Sequence, residues 1–199
     1  MCKVITRTIC GLFLVSVTFT GSAAAQQNNG RGRFDVVGPA RLQITSTSFE
    51  DMGEYPKKFT CEAKPAAVSP QVQWSNVPKD TASLVVMFHD MDPRVNKGNN
   101  DTMHWLVWNI PANVTALPEA MTPAQLPEGT LQLSSNNRTG YAGPCMPLGS
   151  HHHYLLEVYA MDQKLDVPAT GTRTDIFKAM DGHILDHALM LAYWRRPIP

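Results

Sequence analysis

Three apolar runs limit what this chain can fold into: ASLVVMFHD from Ala82, HWLVWNI from His104 and YLLEVYAMD from Tyr154. Each spans seven to nine residues, is rich in β-branched and aromatic side chains, and carries polar groups at an end. Such runs are too short for buried helices and read as strands covered by other structure. RLQITSTSF from Arg41 and QVQWS from Gln71, the latter between Pro70 and Pro78, read as further strands. Fifteen prolines and thirteen glycines, scattered without an internal repeat, suit many short strands joined by turns. The period changes near the C-terminus. From Thr174 to Arg196, residues Ile176, Phe177, Met180, Ile184, Leu185, Ala188, Leu189 and Ala192 recur at spacings of three and four. That spacing predicts a helix, with Gly182 as a break in it. The expected architecture is mainly β with a C-terminal helix.

The first 25 residues have the layout of a secretory signal peptide. Lys3 and Arg7 precede an apolar run from Ile9 to Phe19, and Ala23-Ala24-Ala25 follows. The run is shorter than the roughly 20 residues that span a bilayer, so cleavage after Ala25 is expected rather than anchoring. Residues 26–40 are expected to be a flexible N-terminal segment, and 41–199 a single domain. Cleavage removes two of the 17 basic residues and none of the 17 acidic ones, leaving a small acidic excess. Nothing in that balance points to nucleic acid or to an anionic membrane surface. No later segment is long and apolar enough to span a membrane. Cys2 and Cys10 would leave with the signal, while Cys61 and Cys145 remain. In an oxidising compartment these two either pair across a loop of more than 80 residues or stay as buried thiols.

The strand ends hold the groups capable of chemistry. Side chains alternate faces along a strand. If a strand begins by His151, then His152, Tyr154, Leu156 and Val158 share an inward, apolar face, and His151 and His153 share the other. In HWLVWNI the same parity groups His104 with Leu106, Trp108 and Ile110. At the end of the run from Ala82, Asp90 and Asp92 share a face, with Pro93 stiffening the turn. Where those ends meet, carboxylates, imidazoles and a phenol would line a small pocket. A carboxylate on an imidazole fixes its tautomer and favours its protonated form, which then donates to an anion.

Rival readings use the same residues. A metal could sit on His151 and His153, or on His104, His152 and Asp92. Neither C-x-x-C nor H-E-x-x-H spacing accompanies them. Ser150 lies beside the histidines, but PLGSHH lacks the G-x-S-x-G elbow of a serine hydrolase. Taken singly, Asp90 and Asp92 read as turn caps and His104 as a satisfied core histidine. The recurrence at three strand ends favours a pocket.

FHDMDP, HWLVWNIPA and GYAGPCMPLGSHHHYLLEVYAMD resemble, in order and spacing, the phosphatidylethanolamine-binding protein family, in particular its bacterial and archaeal Raf-kinase-inhibitor-like branch. FTCEAKPAAVSPQVQWSNVP and GHILDHALMLAYWR add to the likeness, which runs from about Ile44 to Arg196. The resemblance implies a central antiparallel sheet, a smaller second sheet and helices, with a cavity for phosphate or phosphoethanolamine headgroups. It implies ligand positions at Asp90, Asp92, His104, Pro147, His152 and Tyr154. The family's D-P-D-x-P motif is altered: Met91 replaces a proline and Pro93 comes one place early. His153 stands where the family's G-x-H-R-Y motif has arginine. Members are mostly binding or inhibitory proteins rather than enzymes. The expected function is therefore an exported, non-enzymatic binding protein for a small anion or phospholipid headgroup, needing no cofactor. Inhibition of, or signalling to, a protein partner is the alternative, and a metal-dependent hydrolase the third. Export argues against carrying kinase control over.

Overall fold

The computed structural model describes residues 41–93 and 101–199, so the expected signal peptide (1–25) and flexible segment (26–40) lie outside the described residues. Among these, the strands in chain order are β1 (Gln43–Thr45), β2 (Gly53–Glu54), β3 (Val72–Ser75), β4 (Ser83–Asp90), β5 (Thr102–Pro111), β6 (Ala116–Leu117), β7 (Leu131–Leu133), β8 (His151–Met161) and β9 (Ile184–Arg195). One α-helix, α1 (Arg173–Met180), precedes β9. A six-stranded sheet has the order β2-β9-β8-β4-β5-β7, and a three-stranded sheet the order β1-β3-β6. The large sheet is antiparallel except where β2 runs parallel to β9.

β4 lies inside the large sheet and is buried at every position, as its unbroken apolar sequence requires. Leu84, Val86 and Phe88 pack in one cluster with Val72, Trp74 and Leu117 of the small sheet. Val85 and Met87 pack in a second cluster with Ile176 and Met180 of α1 and with Leu165 and Val167 before it. The large sheet is thus covered by the small sheet on one face and by α1 with its leading loop on the other. Buried indole N–H groups need acceptors, and these have them. Trp74 donates to the Val114 carbonyl (2.8 Å), Trp105 to Gln132 Oε1 (2.9 Å) and Trp108 to the Val167 carbonyl (3.2 Å).

Two sequence expectations are corrected. Between Thr174 and Arg196 only α1 is helical, and Ile184–Arg195 is a strand. The chain leaves the helix where expected, at Gly182 with φ +79°. Beyond it, Ala188, Met190, Ala192 and Trp194 turn inward at period two. Leu185 and Leu189 on the outer face are apolar but exposed, and together with Ile184, Ala188 and Ala192 they give the segment its false three–four spacing. Pairing with β8 along almost its whole length holds β9 extended, so tertiary contacts override a weak local preference.

The second correction concerns β5. Its pairing with β4 slips twice, once between Leu84 and Val86 and once between Phe88 and His89. A β-bulge sets two residues against one and breaks strict alternation. Trp105, Val107 and Ile110 therefore enter the core facing the small sheet, whereas Leu106 and Trp108 join the opposite one. His104 packs on Phe88 and Tyr154, on the Trp105 side. Simple parity placed it with Leu106 and Trp108.

Asn109 sits in the slipped stretch at φ +60°. Its side chain donates to the Leu165 carbonyl (2.9 Å) and accepts from the Leu165 N–H (2.7 Å). Asn109→Ala should lower the unfolding free energy by about 2 kcal/mol, from two lost hydrogen bonds and a left-handed backbone that alanine tolerates less well. Urea unfolding checks this, and an unchanged midpoint would refute it.

Candidate functional site

The ends of β4, β5 and β8 meet, because Asp90 lies opposite both Thr102 and Tyr154 in the sheet. Asp90 is 4% exposed. Its Oδ2 accepts from His152 Nδ1 (2.7 Å), and its Oδ1 accepts the Asp92 backbone N–H (3.1 Å). Burial, set against the His152 contact, holds the Asp90 carboxyl above its ordinary range. His152 donates through Nδ1, so its Nε2 remains for another partner. Tyr154 is wholly buried, and its hydroxyl donates to the soft Met146 sulfur (3.4 Å). Burial, reinforced by Asp90, pushes the phenol well up, so it stays protonated.

His104 is also buried. Its Nδ1 donates to the Ala142 carbonyl (2.9 Å), while the Ala142 N–H returns a bond to the His104 carbonyl (2.9 Å). That contact fixes the tautomer. Burial, aided by the nearby His89 and His152 charges, pulls His104 down to about 4. The ring is therefore neutral near pH 7, and its Nε2 is a buried acceptor without a hydrogen-bond partner. This overturns the expectation that carboxylates charge His104. Asp90 orients His152 and not His104.

Asp92 likewise departs from its expected role. Its Oδ2 accepts from the His153 backbone N–H (2.6 Å) and from His153 Nδ1 (3.1 Å). Partial burial would raise its carboxyl, but the His153 contacts win and hold it below the usual range. His151 and His153 are exposed, whereas His152 is half-buried. Asp90, Asp92 and His152 have ligand atoms within 4.8 Å of one another, so part of the set Asp92, His152 and His104 converges. His104, with Nδ1 committed to a carbonyl, is not in that cluster. Ser150 is part of the turn before β8, where its N–H bonds the Pro147 carbonyl (3.1 Å). Pro147 is exposed at that turn, and Met146 rather than Pro147 meets the Tyr154 hydroxyl.

Aromatic rings form the floor. Phe88, Tyr55 and Tyr154 stack pairwise with centroids 4.9–5.8 Å apart, and His104 stands 5.8 Å from Tyr154. Tyr141 donates to the Phe59 carbonyl (2.6 Å) and accepts from Tyr55 (3.0 Å). Tyr55, Phe88, Tyr141 and Met146 were missed as site residues. Tyr141 and Met146 lie within the GYAGPCMP stretch that leads into β8, but Tyr55 comes from a distant segment without a local signal.

The loop that carries Tyr141 and Met146 is fastened in three ways. Cys61 and Cys145 are disulfide-bonded, with Cα atoms 5.2 Å apart. Arg196 bonds the Met146 carbonyl (2.8 Å) and Glu62 Oε1 (2.8 Å). Gly143 permits close approach, since a Cβ there would lie 2.6 Å from Ala67 Cβ and 2.9 Å from the Phe59 carbonyl oxygen.

A second polar cluster lies on the other face of the sheet. His89 is held between Asp101 and Glu157, with Nε2 2.9 Å from Glu157 Oε2 and Nδ1 on Asp101. Arg173 pairs with Asp101, and Tyr159 donates to Glu157 Oε1 (2.9 Å). A groove of about 590 Å³ lies near this face between α1 and the sheet and is mainly apolar. It lacks the convergent buried polar groups that mark a specific site.

The sequence profile of one family, "Phosphatidylethanolamine-binding protein", matches residues 45–195. A "UPF0098 protein" of Methanothermobacter thermautotrophicus is 33% identical over 157 residues, covering 78% of this chain and 99% of its own. Among solved structures, a putative phosphatidylethanolamine-binding protein homologue of Chlamydia trachomatis, CT736, is 30% identical with a TM-score of 0.69 and covers 78% of this chain and 98% of its own. Escherichia coli YbcL, described as a new member of the mammalian family, is 27% identical with a TM-score of 0.70, over 78% of this chain and 99% of its own.

Proposed function

The chain belongs to the phosphatidylethanolamine-binding protein family, and from that membership we propose an exported binding protein whose site takes a small anion still carrying a hydrogen, a phosphoryl group above all. The observation that carries this reading is the buried, unpartnered Nε2 of His104. A buried acceptor without a donor costs roughly 1–3 kcal/mol, and a ligand hydroxyl would relieve it. Hydrogen phosphate and a singly protonated phosphomonoester each bring such an O–H together with acceptor oxygens. An ionised carboxylate ligand has no hydrogen to give, so it is the poorer fit. The acceptor oxygens would be met by the Tyr154 hydroxyl, turned from the Met146 sulfur, and by Nε2–H of the Asp90-oriented His152 when that ring carries its second proton. The signal layout of residues 1–25 and the Cys61–Cys145 bond support export.

Titration with inorganic phosphate, phosphoethanolamine and acetate, followed through the histidine NMR signals, tests it. His104 and His152 should both respond to the phosphoryl ligands, and less to acetate. Tighter binding of phosphoethanolamine than of phosphate would identify a headgroup source. A phosphomonoester loses its second proton near pH 6, whereas His104, held down to about 4, stays neutral through that range. Phosphoethanolamine should therefore bind more tightly at pH 5.5 than at pH 7.5. A folded protein with no response at either histidine would sink the reading.

A further inference from the structure

We propose that His151 and His153 form a solvent-facing site for a transition-metal dication of the zinc class. The proposal does not rest on the anion reading. These histidines lie two apart on the outer face of β8, both exposed, so both rings project into the same solvent. Their centroids are 5.0 Å apart and their planes cross at 81°. With metal–nitrogen bonds of about 2.0–2.1 Å and a ring centre roughly 1.1 Å beyond each nitrogen, two imidazoles on one ion have centroids roughly 4.5–5.2 Å apart for bond angles from about 90° to tetrahedral. The observed centroid spacing falls within that range.

The second support is Asp92. Its carboxylate accepts both the backbone N–H and the Nδ1–H of His153. A carboxylate on one imidazole nitrogen fixes the tautomer and leaves a basic lone pair on the other, the usual outer-shell arrangement of metal-binding histidines. His153 is therefore held ready to ligate through Nε2. Tyr193, opposite His153 on β9, stands 5.4 Å from the His151 ring and flanks the pair. Arg195, exposed opposite His151, opposes a dication only weakly across screened solvent. Imidazole suits zinc, copper and nickel and not calcium or magnesium. Two protein ligands leave the remaining positions to water. The arrangement assigns a use to the two histidines that face away from the inward site.

Calorimetric titration of the untagged full chain with zinc chloride alone tests the assignment. One saturable equivalent is expected. His151→Ala and His153→Ala should each weaken it by about tenfold or more, and Asp92→Asn by about ten- to a hundredfold through the lost outer-shell contact. His183→Ala is the control, since His183 has a similar carboxylate contact (Asp162, 2.9 Å) but no second imidazole beside it among the described ring contacts. It should bind zinc as the parent does. All four positions have exposed side chains, so folding, checked by circular dichroism, should persist. Absence of saturable binding would overturn the proposal. So would undiminished binding in the His151→Ala/His153→Ala double variant, or loss on His152→Ala alone, which would put the ion in the inward Asp90–Asp92–His152 cluster.

Discussion

His89→Leu should lower the unfolding free energy by about 3–5 kcal/mol, the range for breaking a buried ion pair by removing one partner. Both ring nitrogens of His89 meet carboxylates, from Asp101 on one side and Glu157 on the other. Burial disfavours the imidazolium, but the two hydrogen bonds outweigh it and raise His89 to about 9. Without His89, Glu157 and Asp101 share the cluster with Arg173 as their remaining cation, at positions mostly removed from water. A group raised from about 6.5 to about 9 contributes stability that is full below pH 6.5 and lost as pH rises through 9. The shift corresponds to about 3 kcal/mol. Urea unfolding of the parent should therefore show a falling midpoint from pH 6 to pH 9, and His89→Leu should flatten that slope while lying below the parent at pH 6. A parent midpoint constant across the interval would mean that His89 is not charged in the fold.

Replacing Cys61 and Cys145 together with alanine should cost about 4.5 kcal/mol, since the bond closes a loop with a sequence separation of 84. That is a large part of the roughly 5–15 kcal/mol available to a domain. The effect acts mainly on the unfolded chain, whose entropy the cross-link reduces. Arg196 still ties Met146 and Glu62 together in the folded state, so the phosphate response of His104 and His152 should survive in the folded fraction. Denaturant curves of the parent with and without reductant, beside the double variant, measure the cost. Equal stability of all three would show that the cross-link contributes nothing.

The legible and illegible parts of this protein divide by the range of the interaction. β4 was readable because burial on both faces leaves an unbroken apolar run. β8 was readable because YLLEVYAMD is a short apolar run, and parity from His151 puts His152, Tyr154, Leu156 and Val158 on one face. The helical reading of β9 fails because its exposed Leu185 and Leu189, with Ile184, Ala188 and Ala192, mimic a three–four spacing. Its extended state comes from pairing with β8, which a local window does not contain. His104 was assigned the wrong face because a bulge is a property of two strands in register, visible only once β4 and β5 lie side by side.

The same division runs through the site. The chain's own pattern, with the motifs it shares with its family, identified Asp90, His104, His152 and Tyr154 as groups at strand ends and separated His152 from His151 and His153 by parity, because side-chain alternation is built into a single extended strand. Partner assignment was decided in three dimensions. Asp90 went to His152, Asp92 to His153, and the Ala142 carbonyl to His104. Those choices depend on distances of about 3 Å between residues far apart in the chain. Charge at a buried histidine follows from desolvation and neighbouring dipoles, and these exist only after the strands have met.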